Sequence, residues 1–167
     1  MNLRGERVTL RPLAAADAPR LAEIAAEPEV AHWWLGLTEQ DLLEKAGPDE
    51  DGFVFAVELD GELIGLAQAD EEADPDYRHA SIDLFLTTAR HGQGLGADTV
   101  RTLARWLFDT RAHHRITIDP AVANERAIRS YERVGFRRVG VLRRYERGPD
   151  GTWHDGLLLD LLAEDLR

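Results

Sequence analysis

Hydrophobic positions alternate in some segments of the chain and recur at helical spacing in others, which predicts both strands and helices. The clearest strands are 53–59 and 63–69, because Asp60-Gly61 between them is typical of a tight hairpin turn. Further strands are predicted at 7–13, 80–86 and 115–118, and a last hairpin is formed by 137–147 and 153–162 with its turn at 148–151. The connecting segments include an aromatic loop at 32–36, a loop at 47–52 and an acidic connection at 70–76.

Four helices are predicted from capping residues and glycines. The first begins at Asp17 and ends at or near Pro28, and a short second helix begins at Thr38. The other two follow a glycine-rich turn at 91–96 and the capping residue Asn124, the last one ending at Val134 before Gly135.

The chain of 167 residues has no internal repeat, low-complexity tract or linker, so we expect a single α/β domain over 1–167. A hydrophobic share of 44% and a charged share of 31% are ordinary for a domain that buries its own core. Because there is no cysteine, disulfides, thiolate metal sites and cysteine nucleophiles are excluded. Without a signal-peptide pattern or an apolar run of transmembrane length, we expect a cytoplasmic protein.

The formal net charge of −11 argues against nucleic acid or an anionic membrane as the main partner. A cationic partner such as a polyamine or an amino sugar is favoured, although the same charge also serves solubility alone.

The charge is segregated along the chain. Between Thr38 and Asp76 there are fourteen acids and one base, whereas between Arg111 and Arg147 there are ten arginines and four acids. This pattern indicates two ligands of opposite sign, or simply two solvated faces.

The turn at 91–96 reads His-Gly-Gln-Gly-Leu-Gly and lies between a predicted strand and a predicted helix. Backbone N–H groups at such a position converge on one point and bind anions, and glycine lets a phosphate approach the backbone closely. The spacing differs from the dinucleotide fingerprint, and the lysine-hydroxyl pair of a P-loop is absent. A tight turn without any ligand has the same pattern, so both interpretations stay open.

Downstream of the turn, Asp119-Pro120, Asn124, 126–128, Tyr131 and Gly135-Phe136 form one continuous pattern. Together with the turn, this pattern resembles the GNAT superfamily of acyl-CoA-dependent N-acyltransferases, firmly over 80–136. The resemblance implies a mixed α/β fold with a central, mostly antiparallel sheet of six to seven strands and about four flanking helices. It also implies a splayed parallel pair of strands around the acyl-CoA site.

The resemblance assigns roles to individual positions. Amides of the glycine turn would bind the pyrophosphate of acetyl-CoA, Asn124 the pantetheine arm, and Tyr131 the sulfur. His91 stands where the family usually has Arg or Gln, and Arg129 and Arg133 are placed to meet the 3′-phosphate. The implied cofactor-binding residues are Phe85, Leu86, His91, Gly92, Gln93, Gly94, Leu95, Gly96, Ala97, Asn124, Ala127 and Arg129.

A narrower resemblance to aminoglycoside 6′-N-acetyltransferases rests on 32–34, 65–68, 81–83, Asp119-Pro120 and Asp155-Gly156. It implies that the strand aspartate is the base and that aromatic and acidic side chains line the amine site. The implied substrate contacts are Trp33, Trp34, Gln68, Asp83, Asp119 and Asp155. Glu71 is a further candidate on grounds of charge, because it lies in the acidic segment just before the strand of Asp83.

Acetyl transfer to an amine requires removal of an ammonium proton and stabilisation of the departing thiolate. Asp83 lies among apolar residues, so burial should raise its pKa. It could act directly or through a water, or be only an edge or capping aspartate. Tyr131, with an ordinary pKa near 10, matches the basicity of a thiolate, or is a core tyrosine beside Ile128. No metal-ligand spacing is present, and His113 and His114 are interpreted as structural.

The sequence thus predicts an acetyl-CoA-dependent N-acetyltransferase acting by direct transfer on a cationic small-molecule amine, the 6′-amine of an aminoglycoside. We expect a monomer or a homodimer, with no nucleic-acid or membrane partner. Three alternatives stay open: a protein N-terminal α-amine acetyltransferase acting on ribosomal proteins, an enzyme acylating a siderophore or another small amine, and a non-catalytic acyl-CoA sensor.

Overall fold

The computed structural model describes residues 1–47 and 52–167, so the predicted loop at 47–52 lies mostly outside the described residues. Within that part, eight strands form one sheet in the order β1-β2-β3-β4-β5-β6-β8-β7. The strands are β1 (Leu3–Arg4), β2 (Val8–Pro12), β3 (Gly52–Leu59), β4 (Glu62–Glu71), β5 (Ala80–Leu86), β6 (Arg115–Ile118), β7 (Arg137–Arg147) and β8 (Trp153–Leu162). The helices are α1 (Ala18–Ala25), α2 (Pro28–Ala31), α3 (Glu39–Lys45), α4 (Leu95–Asp109) and α5 (Glu125–Val134).

Every neighbouring pair in the sheet is antiparallel except β5 and β6, which run parallel. That pair joins only Ala80 to Ile116 and Ser81 to Thr117, after which the two strands separate. β6 is followed at once by Asp119-Pro120, and Ala121 then bridges to Gly156 of β8. The mixed α/β class, the mostly antiparallel sheet and the splayed parallel pair are therefore confirmed.

Two helical layers cover the two faces of the sheet. On one face α4 and α5 bury an apolar cluster that includes Leu103 and Leu107 of α4 and Ile128 of α5. On the other face α1 and α3 bury Leu21 and Leu42 against the sheet. The helical spacing of apolar residues seen in the sequence corresponds to these buried faces.

Two elements differ from the sequence predictions. Pro28 does not end the first helix but occupies the first position of α2, because Glu27 before it is extended, as residues preceding proline tend to be. β1 was not predicted, since two residues carry no detectable alternation. These short elements bring the described part of the chain to eight strands and five helices.

Asp98 in the first turn of α4 fixes that helix to the start of the sheet. Its buried carboxylate accepts hydrogen bonds from the backbone N–H groups of Glu6, Arg7 and Val8 at 2.9, 2.8 and 3.0 Å. Because two of these donors lie in the turn between β1 and β2 and the third, Val8, begins β2, the N-terminal end of α4 is held in a defined position against the sheet.

The pairing of β7 with β8 contains a wide bulge. Leu142 pairs with Gly156 and Glu146 with His154, so that residues 143–145 stand opposite Asp155 alone. Arg144 within the bulge has a φ of +50°, in the left-handed region, and its N–H donates to Oδ1 of Asp155 at 2.8 Å. Bulges of this kind bend a strand and redirect its side chains.

We predict that Gly65→Ala disturbs the end of β5, because a Cβ at Gly65 would lie 2.1 Å from the carbonyl oxygen of Phe85. The free energy of unfolding should fall by about 1–3 kcal/mol, as in overpacked cores. Gly140→Ala in β7 is the matched control, since a Cβ there meets nothing within 4 Å. Denaturant unfolding of both variants measures the difference, and equal stabilities would contradict this packing argument.

Candidate active site

A cleft of about 280 Å³ opens where β5 and β6 separate. Its walls come from the end of β5, the glycine turn with the start of α4, the start of α5, and the segment that follows β6. A second chamber of about 690 Å³ adjoins it, and Trp33, Ala121 and Glu146 line both. The site is therefore assembled from elements far apart in the sequence.

The glycine turn presents backbone donors to the cleft. Gly92 and Gly94 have φ values of +75° and +77°, which only glycine adopts without strain, and Gly94 caps α4. The N–H groups of Leu95, Gly96 and Ala97 begin the helix, where they have no intrahelical acceptor, and all three residues line the cleft. With the positive end of the helix dipole, they form a site suited to a phosphate group.

The other residues of the turn hold it in place. His91 lines the cleft, and its Nε2 lies 2.8 Å from the carbonyl oxygen of Leu86, which ties the turn to β5. Gln93 does not line the cleft; its side chain donates to Ala89 and its carbonyl accepts from Arg7. Gln93 therefore helps to fix the shape of the turn, and its side chain does not face the cleft.

The start of α5 forms the opposite wall. Oδ1 of Asn124 accepts a hydrogen bond from the N–H of Ala127 at 3.4 Å, which confirms the predicted cap, and both residues line the cleft. Arg129 instead pairs with Glu125 at 2.8 Å outside the cleft. The cations that do line it from this helix are Arg126, which the sequence did not indicate, and Arg133.

Asp83 lies on β5 and lines the cleft, and its surface is exposed to the space inside the cleft. The protein around the cleft still desolvates the carboxyl group and raises its pKa to about 7, helped by the negative charges of Asp119, Glu146 and Asp70, although the hydrogen bond from the N–H of Leu84 at 2.9 Å opposes the shift. A carboxyl group with a pKa near neutrality can accept a proton from an ammonium group far better than an ordinary aspartate.

Tyr131 reaches the same cleft from α5 and is only 8% exposed. Burial and the charges of Asp83 and Asp119 raise its pKa above the ordinary value, and Arg126 only partly offsets them. The phenol therefore stays protonated and acts as a neutral hydrogen-bond donor. The raised pKa departs from the ordinary value of about 10 that was expected from the sequence for this phenol.

The two predicted aromatic contacts have different roles. Trp34 packs edge-to-face on Phe85 with ring centroids 5.0 Å apart, and its Nε1–H donates to the carbonyl of Leu84 at 3.3 Å. It therefore supports the end of β5 from behind as well as lining the cleft. Trp33 lines both chambers and contacts His32 edge-to-face, so it is the aromatic surface offered to a ligand.

Three carboxylates converge on the chambers beside Asp83. Asp119 lines the first chamber and accepts a hydrogen bond from the hydroxyl of Tyr145. Asp155 lines the second chamber, with one oxygen used by the backbone of the bulge. Glu146, which the sequence reasoning missed, lines both chambers, and burial together with Asp119 raises its pKa. Only the bulge brings Glu146 inward, and no local sequence signal marks it.

Two predicted substrate contacts, Glu71 and Gln68, line neither chamber, although Gln68 is the cross-strand neighbour of Asp83 in β4. Glu71 pairs with Arg111 at 2.8 Å and with His113 at 2.7 Å, and these partners lower its pKa to about 2. It lies opposite Ala80, at the end of β5 remote from the cleft. Gln68 accepts a hydrogen bond from Lys45 of α3 at 3.1 Å.

Among residues 1–47 and 52–167, no group of three or more His, Asp or Glu side chains is arranged to hold a metal ion. The described helices also include none long and apolar enough to cross a membrane.

Residues 7–137 match the sequence model of the family described as "Acetyltransferase (GNAT) domain". The chain belongs to the GNAT acetyltransferase family. The "Aminoglycoside N(6')-acetyltransferase type 1" of Klebsiella pneumoniae is 34% identical to this GNAT protein, over 87% of this chain and 80% of the relative. The "N-alpha-acetyltransferase RimI" of Mycobacterium tuberculosis is 31% identical, over 88% and 89%.

Among solved structures, AAC(6')-Ib "in complex with Parmomycin and AcetylCoA" superimposes with a TM-score of 0.78. It is 30% identical, and the match covers 96% of both chains. The glycine turn of this GNAT protein fits the same group, since its free amides face a cleft whose arginines carry the charge opposite to a pyrophosphate.

We predict that Asp83→Asn stabilises the protein at alkaline pH. Because the folded-state pKa of about 7 exceeds the ordinary 3.8, the folded protein binds more protons than the unfolded chain between these values. Its stability therefore falls as pH rises through that window, and Asn removes the penalty. The melting temperature of the variant should exceed that of the wild type near pH 8 and match it near pH 4, and because Asp83 is exposed to the cleft, solvent screening keeps the difference small.

Asp60→Asn is the control for this comparison, because Asp60 is an exposed hairpin residue with a φ of +51°, a conformation that asparagine also tolerates. Its melting temperature should follow that of the wild type across the pH range. An Asp83→Asn variant that melts with the wild type at every pH would contradict a raised pKa of Asp83.

Proposed function

We propose that this protein transfers the acetyl group of acetyl-CoA to a primary amine of an aminoglycoside-type amino sugar, the 6′-amine, by direct transfer in a ternary complex. The observation that carries the proposal is the position of Asp83. Its carboxyl group, with a pKa near neutrality, faces a cleft that has amide donors on one side and further carboxylates on the other. One cleft thus offers complementary surfaces to an anionic donor and a cationic acceptor.

The donor side supports binding of acetyl-CoA through groups that do not depend on a particular side chain. The first amides of α4 are oriented toward the cleft, and Arg126 and Arg133 add positive charge across from them. Asn124 and Ala127 line the passage between the glycine turn and Asp83. Acetyl-CoA supplies an activated acetyl thioester at this position.

The acceptor side supports a polycationic amine. The side-chain carboxylate of Glu146 accepts no hydrogen bond from the described residues. It lines both chambers, where an ammonium group would pair with it. Trp33 offers an aromatic face, which attracts cations and stacks on sugar rings. The second chamber is large enough for further rings of an amino sugar beyond the reacting amine.

The reaction needs one proton acceptor and one hydrogen-bond donor, and the cleft contains both. The acceptor ammonium would first lose one proton to Asp83, directly or through a water. As the new N–C bond forms and the C–S bond breaks, the nitrogen loses a second proton, which ends on the departing thiolate to give CoA-SH. Tyr131 would donate a hydrogen bond to the departing sulfur, which the buried, protonated phenol can do without losing its proton. The chain has no cysteine to carry the acetyl group, in keeping with direct transfer.

A protein α-amine is the second candidate acceptor. The relative named as an N-alpha-acetyltransferase is 31% identical over 88% of this chain, close to the value for the aminoglycoside enzyme. An extended peptide would occupy the second chamber, and its α-amine would reach Asp83. Fewer acidic partners are needed for such a substrate than for an amino sugar with several ammonium groups.

An acceptor screen tests the proposal. Thiol release from acetyl-CoA would be followed with kanamycin, spermidine and a ribosomal-protein N-terminal peptide as separate acceptors. We expect the highest kcat/KM with kanamycin. Turnover confined to the peptide would support the second candidate, and acetyl-CoA binding without turnover of any amine would indicate a sensor.

We predict that Asp83→Asn lowers kcat for the amine substrate by about 10²–10⁴-fold, the usual contribution of a positioned general base. The KM for acetyl-CoA should stay within about twofold of the wild type, since the glycine turn is untouched. In the wild type, log(kcat/KM) should rise with pH up to about 7, where Asp83 of the free enzyme becomes ionised. Equal kcat values for variant and wild type would exclude Asp83 as the base.

A further inference from the structure

Tyr145 lies at the edge of the amine site, where a side-chain hydrogen bond and a packing contact fix its position. It lies in the bulge of β7, and its hydroxyl donates to Oδ2 of Asp119. Its ring packs against Gly156 of β8, where a Cβ would lie 2.9 Å from Cδ2 of the tyrosine. The ring therefore occupies the space that any larger residue at Gly156 would fill.

The backbone around Tyr145 is fixed from two sides. Arg144 keeps its left-handed conformation with its N–H bonded to Oδ1 of Asp155. The carbonyl of Asp155 accepts in turn from the N–H of Val122 at 2.9 Å, which connects β8 to the segment following β6. Since Asp119 begins that segment, tyrosine and aspartate are held on one connected framework.

Repulsion from the negative charges of Asp83 and Glu146 favours an orientation in which the carboxylate of Asp119 points away from the cleft. Its negative charge raises the pKa values of Asp83 and Glu146, so Asp119 lies within electrostatic reach of both carboxyl groups. The hydrogen bond from Tyr145 counteracts this repulsion and fixes the orientation of the side chain. Oδ1 of Asp119 accepts no hydrogen bond from the described residues and stays available in the cleft.

We propose that Tyr145 is a positioning residue for the amine acceptor: it holds Asp119 with Oδ1 directed into the cleft, where that oxygen binds an ammonium group of the substrate. Tyr145 takes no part in the proton transfer. The inference rests on the proposed function in one respect, the assignment of Asp119 as an acceptor contact. The hydrogen bond to Asp119 raises the pKa of Tyr145 to about 12, so its hydroxyl remains a donor at every pH of an ordinary assay.

Tyr145→Phe tests this role, because it keeps the ring on Gly156 and removes only the hydroxyl. We expect the KM for the amine to rise by about tenfold, the loss typical of a hydrogen bond to a charged group. By contrast, kcat should change by less than about threefold, and the KM for acetyl-CoA should not change. Tyr77→Phe is the matched control, since Tyr77 is 74% exposed and lines neither chamber.

A double-mutant cycle with Asp119→Asn separates positioning from a general structural effect. If Tyr145 acts through Asp119, Tyr145→Phe raises the amine KM in the wild-type background and has no further effect in the Asp119→Asn background. Fully additive effects would overturn the inference, as would an equal rise in the KM values of both substrates.

The test stays separate from that of the proposed function. If the wild type acetylates spermidine or the peptide but not kanamycin, the aminoglycoside proposal is contradicted, and the cycle is measured on the amine that reacts. If no amine reacts, the proposed activity is contradicted, and calorimetric binding of kanamycin decides: weaker binding by Tyr145→Phe than by Tyr77→Phe supports the inference. Normal kanamycin turnover with an unchanged amine KM in Tyr145→Phe overturns the inference alone.

Discussion

The parallel pairing of β5 with β6 ends after two residue pairs, and the arrangement of the site depends on that separation. If the strands stayed paired along their length, the backbone beyond Ser81 would be closed by ladder hydrogen bonds. Because they diverge, Asp83 lies on an open strand edge, the start of α4 faces it from one side, and Tyr131 reaches it from α5. The sheet itself creates the cleft, and the flanking helices only furnish its walls.

Charge in this molecule is arranged more locally than the segregated sequence suggests. Part of the acidic segment is neutralised inside the fold, as when Glu71 binds Arg111 and His113. The carboxylates whose pKa values rise are instead those at the cleft, Asp83 and Glu146. The charge that faces the cleft therefore comes from a few individual side chains rather than from the acidic segment as a whole.

Features that depend on neighbouring residues were predictable from the sequence. The caps at Thr38 and Asn124 and the left-handed Gly135 follow from local hydrogen bonds and local sterics, and the structure confirms all three. The glycine turn belongs to the same class. By contrast, Glu71 was placed in the amine site because it precedes the strand of Asp83 in sequence, whereas the antiparallel register puts it at the far end.

Residues that the sequence could not locate are those whose position depends on non-local pairing. Two additional residues are accommodated in β7 opposite β8, at the point where Glu146 lines the chambers and Tyr145 contacts Asp119. Alternation along a strand predicts the face of each side chain only while the register is regular. Arg126 was missed for a similar reason, since the packing of α5 beside the cleft decides which of its arginines face inward.

The glycine turn presents backbone amides to the cleft, whereas the amine site presents side chains. The two halves of the cleft therefore differ in how far a substitution can change their contacts. A substitution cannot delete a backbone N–H unless it introduces proline, so donor recognition tolerates extensive change in the residues of α4 and α5. Each proposed acceptor contact, by contrast, is a single replaceable side chain on its own element: Trp33 beyond α2, Asp119 after β6, Glu146 in β7. A scaffold built in this way can keep one acyl donor while the acceptor differs between relatives. One relative is named as an aminoglycoside N(6')-acetyltransferase and another as an N-alpha-acetyltransferase.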